Sequence, residues 1–149
     1  FHPDVTGCQS QRHLMSAGSS SFFQASNGWK LHVESWSAPS WPKPKLAVLF
    51  LHGVNESAET LTVRRLAAAF TQAGASFHVL EQHGHGLSLE CNGSEQTLGL
   101  ITSFDELVTH AIEACCQITM GKEQTPLVLM GHSMGAAIVA CACKGAATQ

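Results

Sequence analysis

The chain has 149 residues, 44% hydrophobic and 13% charged, proportions typical of a folded domain and not of a disordered chain. Its net charge of −3, without a basic cluster, argues against a nucleic-acid partner and against binding to an anionic membrane by charge. Because no apolar run approaches the roughly 20 residues that cross a bilayer, the sequence predicts no transmembrane segment.

The N-terminal part predicts an extension followed by a hairpin. Residues 1–20 are polar, rich in glycine and serine and without periodicity, which is typical of a flexible extension. Residues 21–25 and 30–36 have strand character and flank Asn27-Gly28, a frequent hairpin turn. The second strand alternates as a half-buried strand does, with Lys30, His32 and Glu34 on one side and Leu31, Val33 and Ser35 on the other.

Two buried strands with a helix between them come next. Residues 46–51 and 77–81 are short apolar runs, as expected of strands covered on both faces. Residues 58–73 predict an amphipathic helix that Gly74 ends. Its apolar stripe is formed by Val63, Leu66, Ala67, Phe70 and Ala73.

A second helix and a last strand follow. Ser103 to Glu106 has the spacing of a capping box, which predicts a helix start. The apolar stripe of this helix comprises Phe104, Val108, Ala111, Cys115 and Ile118. Residues 126–130 then predict a strand. Strands that alternate with helices indicate the α/β class, with a mostly parallel sheet flanked by helices.

The stretch Gly131-His132-Ser133-Met134-Gly135 lies between that strand and a helical run of small residues. A G-x-S-x-G pattern in a strand–turn–helix context is the signature of a nucleophile elbow. The turn is so sharp that side chains two residues before and after the serine would collide, which explains the glycines. The N-terminus of the following helix is suited to stabilising negative charge.

The cysteines and histidines raise the questions of disulfide bonds and of metal binding. The six cysteines form no C-x-x-C pair, and their spacing favours reduced core thiols over disulfides or zinc. His83 and His85, with Cys91 as a further candidate, allow a metal site in principle. Because spacing places no third ligand, a glycine-bracketed loop is preferred and no metal is predicted.

Four segments resemble the α/β-hydrolase fold, and more narrowly its monoacylglycerol lipase and serine aminopeptidase-like branch. Residues 22–36 are similar to the opening hairpin of that family. The other three are L-F-L-H-G-V-N-E-S at 49–57, E-Q-H-G-H-G-L-S at 81–88 and G-H-S-M-G at 131–135. The resemblance extends over about residues 21–145.

The resemblance implies a serine nucleophile and an oxyanion hole, with no cofactor. Ser133 matches the nucleophile, and the backbone amides of Val54 and Met134 match the two oxyanion donors. The other residues in matching motif positions are His52, Gly53, Gly84, Gly86, Gly131, His132 and Gly135. The implied substrate is a small-molecule ester or lipid.

Several positions depart from the family pattern or take supporting roles. Glu81 stands where aspartate is usual, His83 where arginine is frequent, and Ala136 where another glycine is common. Glu56 and Asp105 match acidic positions of the family and are expected to brace a loop or cap a helix. The histidines at 52, 83 and 85 are expected to brace loops through backbone hydrogen bonds, and His132 to point away from the serine.

No aspartate, glutamate or histidine follows Ser133 in the sequence, although the fold's triad runs serine, acid, histidine along the chain. We therefore expect residues 21–149 to be the N-terminal half of an α/β-hydrolase domain, without its C-terminal strands and cap. The predicted activity of the parent protein is ester hydrolysis, on monoacylglycerols or lysophospholipids, in the cytoplasm or at a membrane surface. The alternative is a non-catalytic truncated chain that acts as a binding module with an exposed sheet edge. The first residue is Phe1, which leaves any upstream segment open, and the oligomeric state stays open too.

Overall fold

The computed structural model describes residues 18–37, 43–92, 98–99, 101–121 and 124–146. The strands are β1 (Ser19–Gln24), β2 (Lys30–Trp36), β3 (Ala47–Leu51), β4 (Ser76–Glu81) and β5 (Leu127–Gly131). The helices are α1 (Leu61–Gln72), α2 (Gly86–Glu90), α3 (Phe104–Thr119) and α4 (Met134–Ala146). Residues 1–17 of the predicted extension lie outside the described residues. Residues 19 and 20, which were also assigned to it, belong to β1.

The strands form one sheet in the order β1-β2-β4-β3-β5. β3 pairs in parallel with both β4 and β5, whereas β2 pairs antiparallel with β1 and β4. The sheet is therefore mixed, and only β4, β3 and β5 form the parallel part that the alternation of elements predicts. The carboxyl ends of these three strands meet at one edge, where Leu51 lies opposite both Leu80 and Gly131.

Apolar side chains cover both faces of the sheet. On one face Phe50, Phe77 and Val79 pack with Val63 and Ala67 of α1. On the other face Leu49, Leu51 and Leu80 pack against α3 and α4, with Leu107, Ala111, Ala114 and Ile138 buried there. Because helices lie on both sides, β3 and β4 are buried along their whole length, as the apolar runs predict.

Two predictions about helix faces need correction. Phe104 is 38% exposed, and Leu107 and Ala114 are buried instead, so the buried stripe of α3 is rotated from the predicted one. The capping box does not form, since Ser103 makes no side-chain cap and Glu106 accepts a hydrogen bond from Thr102 Oγ1 at 2.9 Å. The stripe of α1 is confirmed for Val63 and Ala67, which are buried.

β2 is not the half-buried strand that its alternation predicts. His32 is only 1% exposed, although it belongs to the polar face of the pattern. The reason is topological, because β2 lies between β1 and β4 and α2 lies against it. A buried imidazole requires partners, and they lie beside it, as described below.

The cysteines in the described ranges are free thiols: Cys91, Cys115, Cys116, Cys141 and Cys143. The expectation that they are core residues is wrong for Cys116, Cys141 and Cys143, which are exposed on α3 and α4. Burial raises the pKa of Cys115 to about 11, which keeps that thiol protonated at neutral pH.

Within the described part of the chain, no helix is long and apolar enough to span a membrane.

Candidate active site

Ser133 occupies the sharp turn between β5 and α4. Its φ of 54° is in the left-handed region, where a non-glycine residue is strained. The turn is held by hydrogen bonds from His132 N to Leu51 O at 3.0 Å and from Gly135 N to His132 O at 2.9 Å. The side chain of Ser133 is exposed at the end of the strand, which is the geometry that the G-x-S-x-G pattern predicts.

The two glycines of the motif are required by close backbone approach. A Cβ on Gly131 would lie 2.4 Å from the carbonyl carbon of Gly135. A Cβ on Gly135 would lie 1.9 Å from the carbonyl oxygen of Leu51, at the end of β3. The glycines therefore allow the turn to close and the new helix to lie against β3.

The loop after β3 lies directly beside the elbow. A Cβ on Gly53 would be 3.3 Å from Ser133 Cβ and 3.2 Å from His132 Nδ1. Glu56 connects the two segments, because its Oε2 accepts from the amide of Gly53 at 2.7 Å and lies 3.1 Å from His132 Nδ1. This loop-bracing role of Glu56 is the predicted one.

Glu56 stays ionised in this position. Burial alone would raise its pKa, but hydrogen bonds from the Gly53 amide and from His132 lower the pKa below its usual value. His132 thus directs its Nδ1 atom at Glu56.

The two predicted oxyanion donors belong to the segments that meet at the serine. Val54 follows Gly53, and Met134 is the first residue of α4. Neither amide donates to a protein acceptor within the described ranges, so both remain available for a ligand oxygen. In those same ranges no imidazole nitrogen lies within hydrogen-bond distance of the Ser133 hydroxyl.

Glu81 organises the loop that follows β4. Its carboxylate accepts from the amides of Ala58 at 2.8 Å and Leu87 at 2.7 Å, and contacts His32 Nδ1 at 2.9 Å. Burial would raise the pKa of Glu81, but these three hydrogen bonds together lower it. Gly86 has φ 49°, and a Cβ there would lie 2.2 Å from the carboxylate, so glycine is needed at this position.

The prediction that His52, His83 and His85 brace loops through backbone hydrogen bonds is confirmed for His52 and His85. His52 Nδ1 donates to Gly53 O at 2.8 Å and its Nε2 accepts from Gln82 N at 3.3 Å, while His85 Nδ1 donates to His83 O at 3.1 Å. The prediction is wrong for His83, because neither of its buried nitrogens has a hydrogen-bond partner among the residues that the structure describes.

His83 is held by ring contacts instead. It stacks on Trp29 with ring centroids 5.0 Å apart and meets His110 edge-on at 5.5 Å. Burial lowers the pKa of both His83 and His110, which favours neutral rings. His110 was not singled out from the sequence, since a histidine in a helical run carries no signal of its tertiary contacts.

No metal centre emerges from the part of the chain that the structure describes, since its His, Cys, Asp and Glu residues form no group of three or more suited to an ion. Cys91, the further candidate ligand beside His83 and His85, directs its thiol at the carbonyl oxygens of Lys30 and Ser88 instead.

A cleft of about 330 Å³ lies between α1 and β5 and is lined in part by Leu66, Met130, Gly131 and His132. It borders the elbow on the side of the sheet covered by α1.

A second polar cluster was missed by sequence reasoning. Ser20 Oγ on β1 lies 3.1 Å from His32 Nε2, whose Nδ1 contacts Glu81 at 2.9 Å, and Glu34 Oε2 lies 2.5 Å from the same hydroxyl. Ser20 was assigned to a flexible extension, and His32 to the polar side of a half-buried strand. Only the pairing of β1 with β2 and of β2 with β4 brings the residues together.

Comparison with solved structures identifies the fold as that of the α/β-hydrolases. A thermostable carboxyl esterase from Bacillus coagulans aligns with TM-score 0.68 and 21% identity, over 83% of this chain and 38% of that one. A lipase in an open form aligns with TM-score 0.67 and 20% identity, over 82% and 38%. A serine hydrolase without a lid from Xanthomonas campestris aligns with TM-score 0.66 and 17% identity, over 87% and 57%.

The family model described as serine aminopeptidase, S33, matches residues 42–149. The chain belongs to that family, which supports a hydrolase role. It spans about two fifths of the length of the first two solved relatives. Among curated proteins none matches.

Proposed function

We propose that the whole protein is a serine hydrolase of carboxylic esters, with Ser133 as its nucleophile. The observation that carries the proposal is the φ of 54° at an exposed serine, beside a loop whose Val54 amide makes no hydrogen bond to the described residues. Strain of this kind persists where the surrounding structure imposes it, and at a strand–helix turn it presents the hydroxyl to a ligand.

In the proposed reaction Ser133 Oγ attacks the ester carbonyl, and the amides of Val54 and Met134 stabilise the oxyanion of the tetrahedral intermediate. A serine hydroxyl is a weak nucleophile until a base takes its proton. Since no acid or histidine follows Ser133 in these 149 residues, we propose that both come from further parts of the protein, and that the 149 residues alone do not turn over substrate.

The proposed substrates are monoacylglycerols or lysophospholipids, on the basis of the three motifs that resemble the monoacylglycerol lipase branch. Substrates of this kind would bring the protein to a membrane surface by peripheral contact. The fold alone does not define the acyl group, because related folds carry many activities.

The test is an assay of the whole gene product with monooleoylglycerol, lysophosphatidylcholine and p-nitrophenyl butyrate. We expect Ser133→Ala to lower kcat/KM at least about a thousandfold, as loss of a covalent nucleophile does. Activity that persists in a folded Ser133→Ala variant would refute the assignment. Absence of esterase activity in the whole protein would instead favour the binding-module alternative.

The oxyanion role is tested with a matched pair of variants at one position. Val54→Pro removes the amide hydrogen, and the preceding Gly53 has no Cβ to clash with the proline ring. We expect Val54→Pro to lower kcat about a hundredfold, in line with one lost donor. Val54→Ala keeps the amide, and equal effects of the two variants would contradict the assignment.

A further inference from the structure

The hydroxyl of Ser20 is the outer member of a chain of polar groups distant in sequence from the elbow. Ser20 Oγ lies 3.1 Å from His32 Nε2, and His32 Nδ1 lies 2.9 Å from Glu81 Oε2. Both distances are within the range that joins a nucleophile to its base and a base to the group that orients it. Ser20 itself is exposed on the edge strand β1, where a reagent can reach it.

The hydrogen bonds of Glu81 determine the tautomer of His32. The pKa of Glu81 is lowered, so its carboxylate is ionised and can only accept. His32 Nδ1 therefore carries a hydrogen and donates it to Glu81. The amides of Ala58 and Leu87 hold the carboxylate from its other sides, so the imidazole is fixed with Nε2 directed at Ser20.

Glu34 is the competing acceptor for the serine proton. Its Oε2 lies 2.5 Å from Ser20 Oγ and 3.2 Å from His32 Nε2. Ser20 Oγ donates its hydrogen to Glu34 Oε2, whereas His32, whose Nδ1 hydrogen is held by Glu81, presents Nε2 as an acceptor to the same hydroxyl. Glu34 is therefore placed to orient the hydroxyl, and His32 to take its proton.

We propose that Ser20 is a second activated hydroxyl, which accepts acyl or phosphonyl groups from small activated donors with His32 as its base. With p-nitrophenyl acetate, Ser20 Oγ bonds to the acetyl carbon while its proton passes to His32 Nε2. The ester bond breaks and p-nitrophenolate leaves with the electron pair. The imidazolium of His32 then gives the proton to the phenolate, so the products are acetyl-serine, p-nitrophenol and the regenerated imidazole. A fluorophosphonate reacts in the same way with fluoride as the leaving group.

The surroundings restrict the donor to small groups with a good leaving group. Ser20 is exposed, and among the described residues none encloses a long acyl chain beside it. Phe22 lies on the same strand face, with its ring centroid 5.0 Å from that of His32, and its exposed ring offers one apolar contact. Donors of this class react without an enclosed pocket because their leaving group needs little assistance.

The experiment uses the chain with Ser133→Ala, so that any adduct is independent of the proposed function. After treatment with p-nitrophenyl acetate or a fluorophosphonate, peptide mass spectrometry locates the modified serine. Ser21 is the internal control, because it is the next residue on the same strand and its hydroxyl donates to Val33 O instead of meeting an imidazole. We expect Ser20 to react at least about tenfold faster than Ser21. Equal reaction at the two serines would overturn the proposal.

Three substitutions in the same background separate the roles. With the exposed thiols blocked by iodoacetamide beforehand, Ser20→Ala, at an exposed position, should lower the release of p-nitrophenol to the rate of spontaneous hydrolysis, and Ser21→Ala should leave it unchanged. His32→Gln should lower labelling at least tenfold, and Glu34→Gln should retain it. Loss of labelling in Glu34→Gln, with retention in a His32→Gln variant of unchanged circular dichroism, would assign the base to Glu34 and overturn the proposal. If His32→Gln does not fold, the Ser20→Ala and Ser21→Ala pair decides the outcome alone.

Discussion

The strain at Ser133 gives a prediction at the scale of a single residue. Its φ of 54° brings Cβ close to the backbone, which costs a non-glycine residue about 1–2 kcal/mol. We expect Ser133→Gly to be more stable than Ser133→Ala by about 0.5–1 kcal/mol, since glycine relieves the strain but loses more entropy on folding. Urea unfolding of the two variants measures the difference. If the alanine variant is the more stable, the residue is not strained.

Gly135 gives a second prediction, which rests on a steric clash of an added Cβ and not on an unfavourable φ. A Cβ there would lie 1.9 Å from Leu51 O, an atom of the buried strand β3 that cannot move aside. We expect Gly135→Ala to cost about 3 kcal/mol, the upper range for overpacking. The control is Gly28→Ala, where φ is 95° but nothing lies within 4 Å, and which should cost about 1 kcal/mol. Similar losses in both variants would argue against the close contact.

At the residue scale, the elbow could be predicted from the sequence, and the contacts of the buried histidines could not. The two motif glycines are required by contacts within a few residues and with one neighbouring strand, and the sequence motif contains that information. His83 and His32 depend on pairings with residues far along the chain. His83 meets Trp29 and His110, and His32 meets Glu81, so no local pattern marks these contacts.

At the scale of elements, strands were predicted more closely than helix limits. The apolar runs 46–51 and 77–81 differ from β3 and β4 by one residue at their starts, because burial on both faces selects those residues. α1 begins at Leu61 and not at residue 58, since a turn in which Thr60 N donates to Ser57 O precedes it. α2 was missed because its five residues include a glycine, and Glu81 holds its first turn.

The contact between α3 and the loop after β4 predicts that stability depends on pH. Burial lowers the folded-state pKa of His83 and His110 below the ordinary 6.5, although Glu106 raises both and Glu113 raises the second. His85 also lowers the pKa of His83, and the rings of His83 and His110 lie 5.5 Å apart. The unfolded chain therefore binds more protons than the folded one near pH 6, and stability is full above about 6.5 and falls as the pH drops below it.

The measurement is urea unfolding at pH 7.5 and 5.5, with wild type and His83→Phe. Phenylalanine keeps a ring against Trp29 but cannot be protonated. We expect the wild type to lose more stability than the variant between the two pH values, by at most about 1.4 kcal/mol, because pH 5.5 lies one unit below the ordinary pKa of 6.5. Carboxylate titration acts at lower pH and does not enter this window. Equal losses in both proteins would mean that His83 does not carry the effect.

At the scale of the whole molecule, the exposed edge of the sheet decides how the chain behaves in isolation. β5 is the last strand in the described sheet, and Val128 on it is 45% exposed. An unpaired edge with apolar side chains is a template for association. We expect the 149-residue chain to self-associate, and Val128→Lys to reduce this.

Sedimentation velocity over a range of concentrations tests this expectation. Gln72→Lys adds the same charge at an exposed position at the end of α1, away from β5. If both variants reduce association equally, net charge and not the β5 edge governs it. A wild-type chain that is monomeric at all concentrations would contradict the prediction directly.

The three contacts of Glu81 also constrain the order in which the chain can assemble. Its partners His32, Ala58 and Leu87 are 49, 23 and 6 residues away, so the carboxylate is fully bonded only after three separate segments have converged. Interactions that need several distant segments usually form after the rate-limiting step of folding. We expect Glu81→Gln to leave the refolding rate nearly unchanged and to accelerate unfolding, so that stopped-flow kinetics would show the shift in the unfolding limb alone. In that case Glu81 determines how long the loops around the elbow stay closed. Slower refolding of Glu81→Gln would instead mean that the Glu81 contacts are already formed in the transition state of folding.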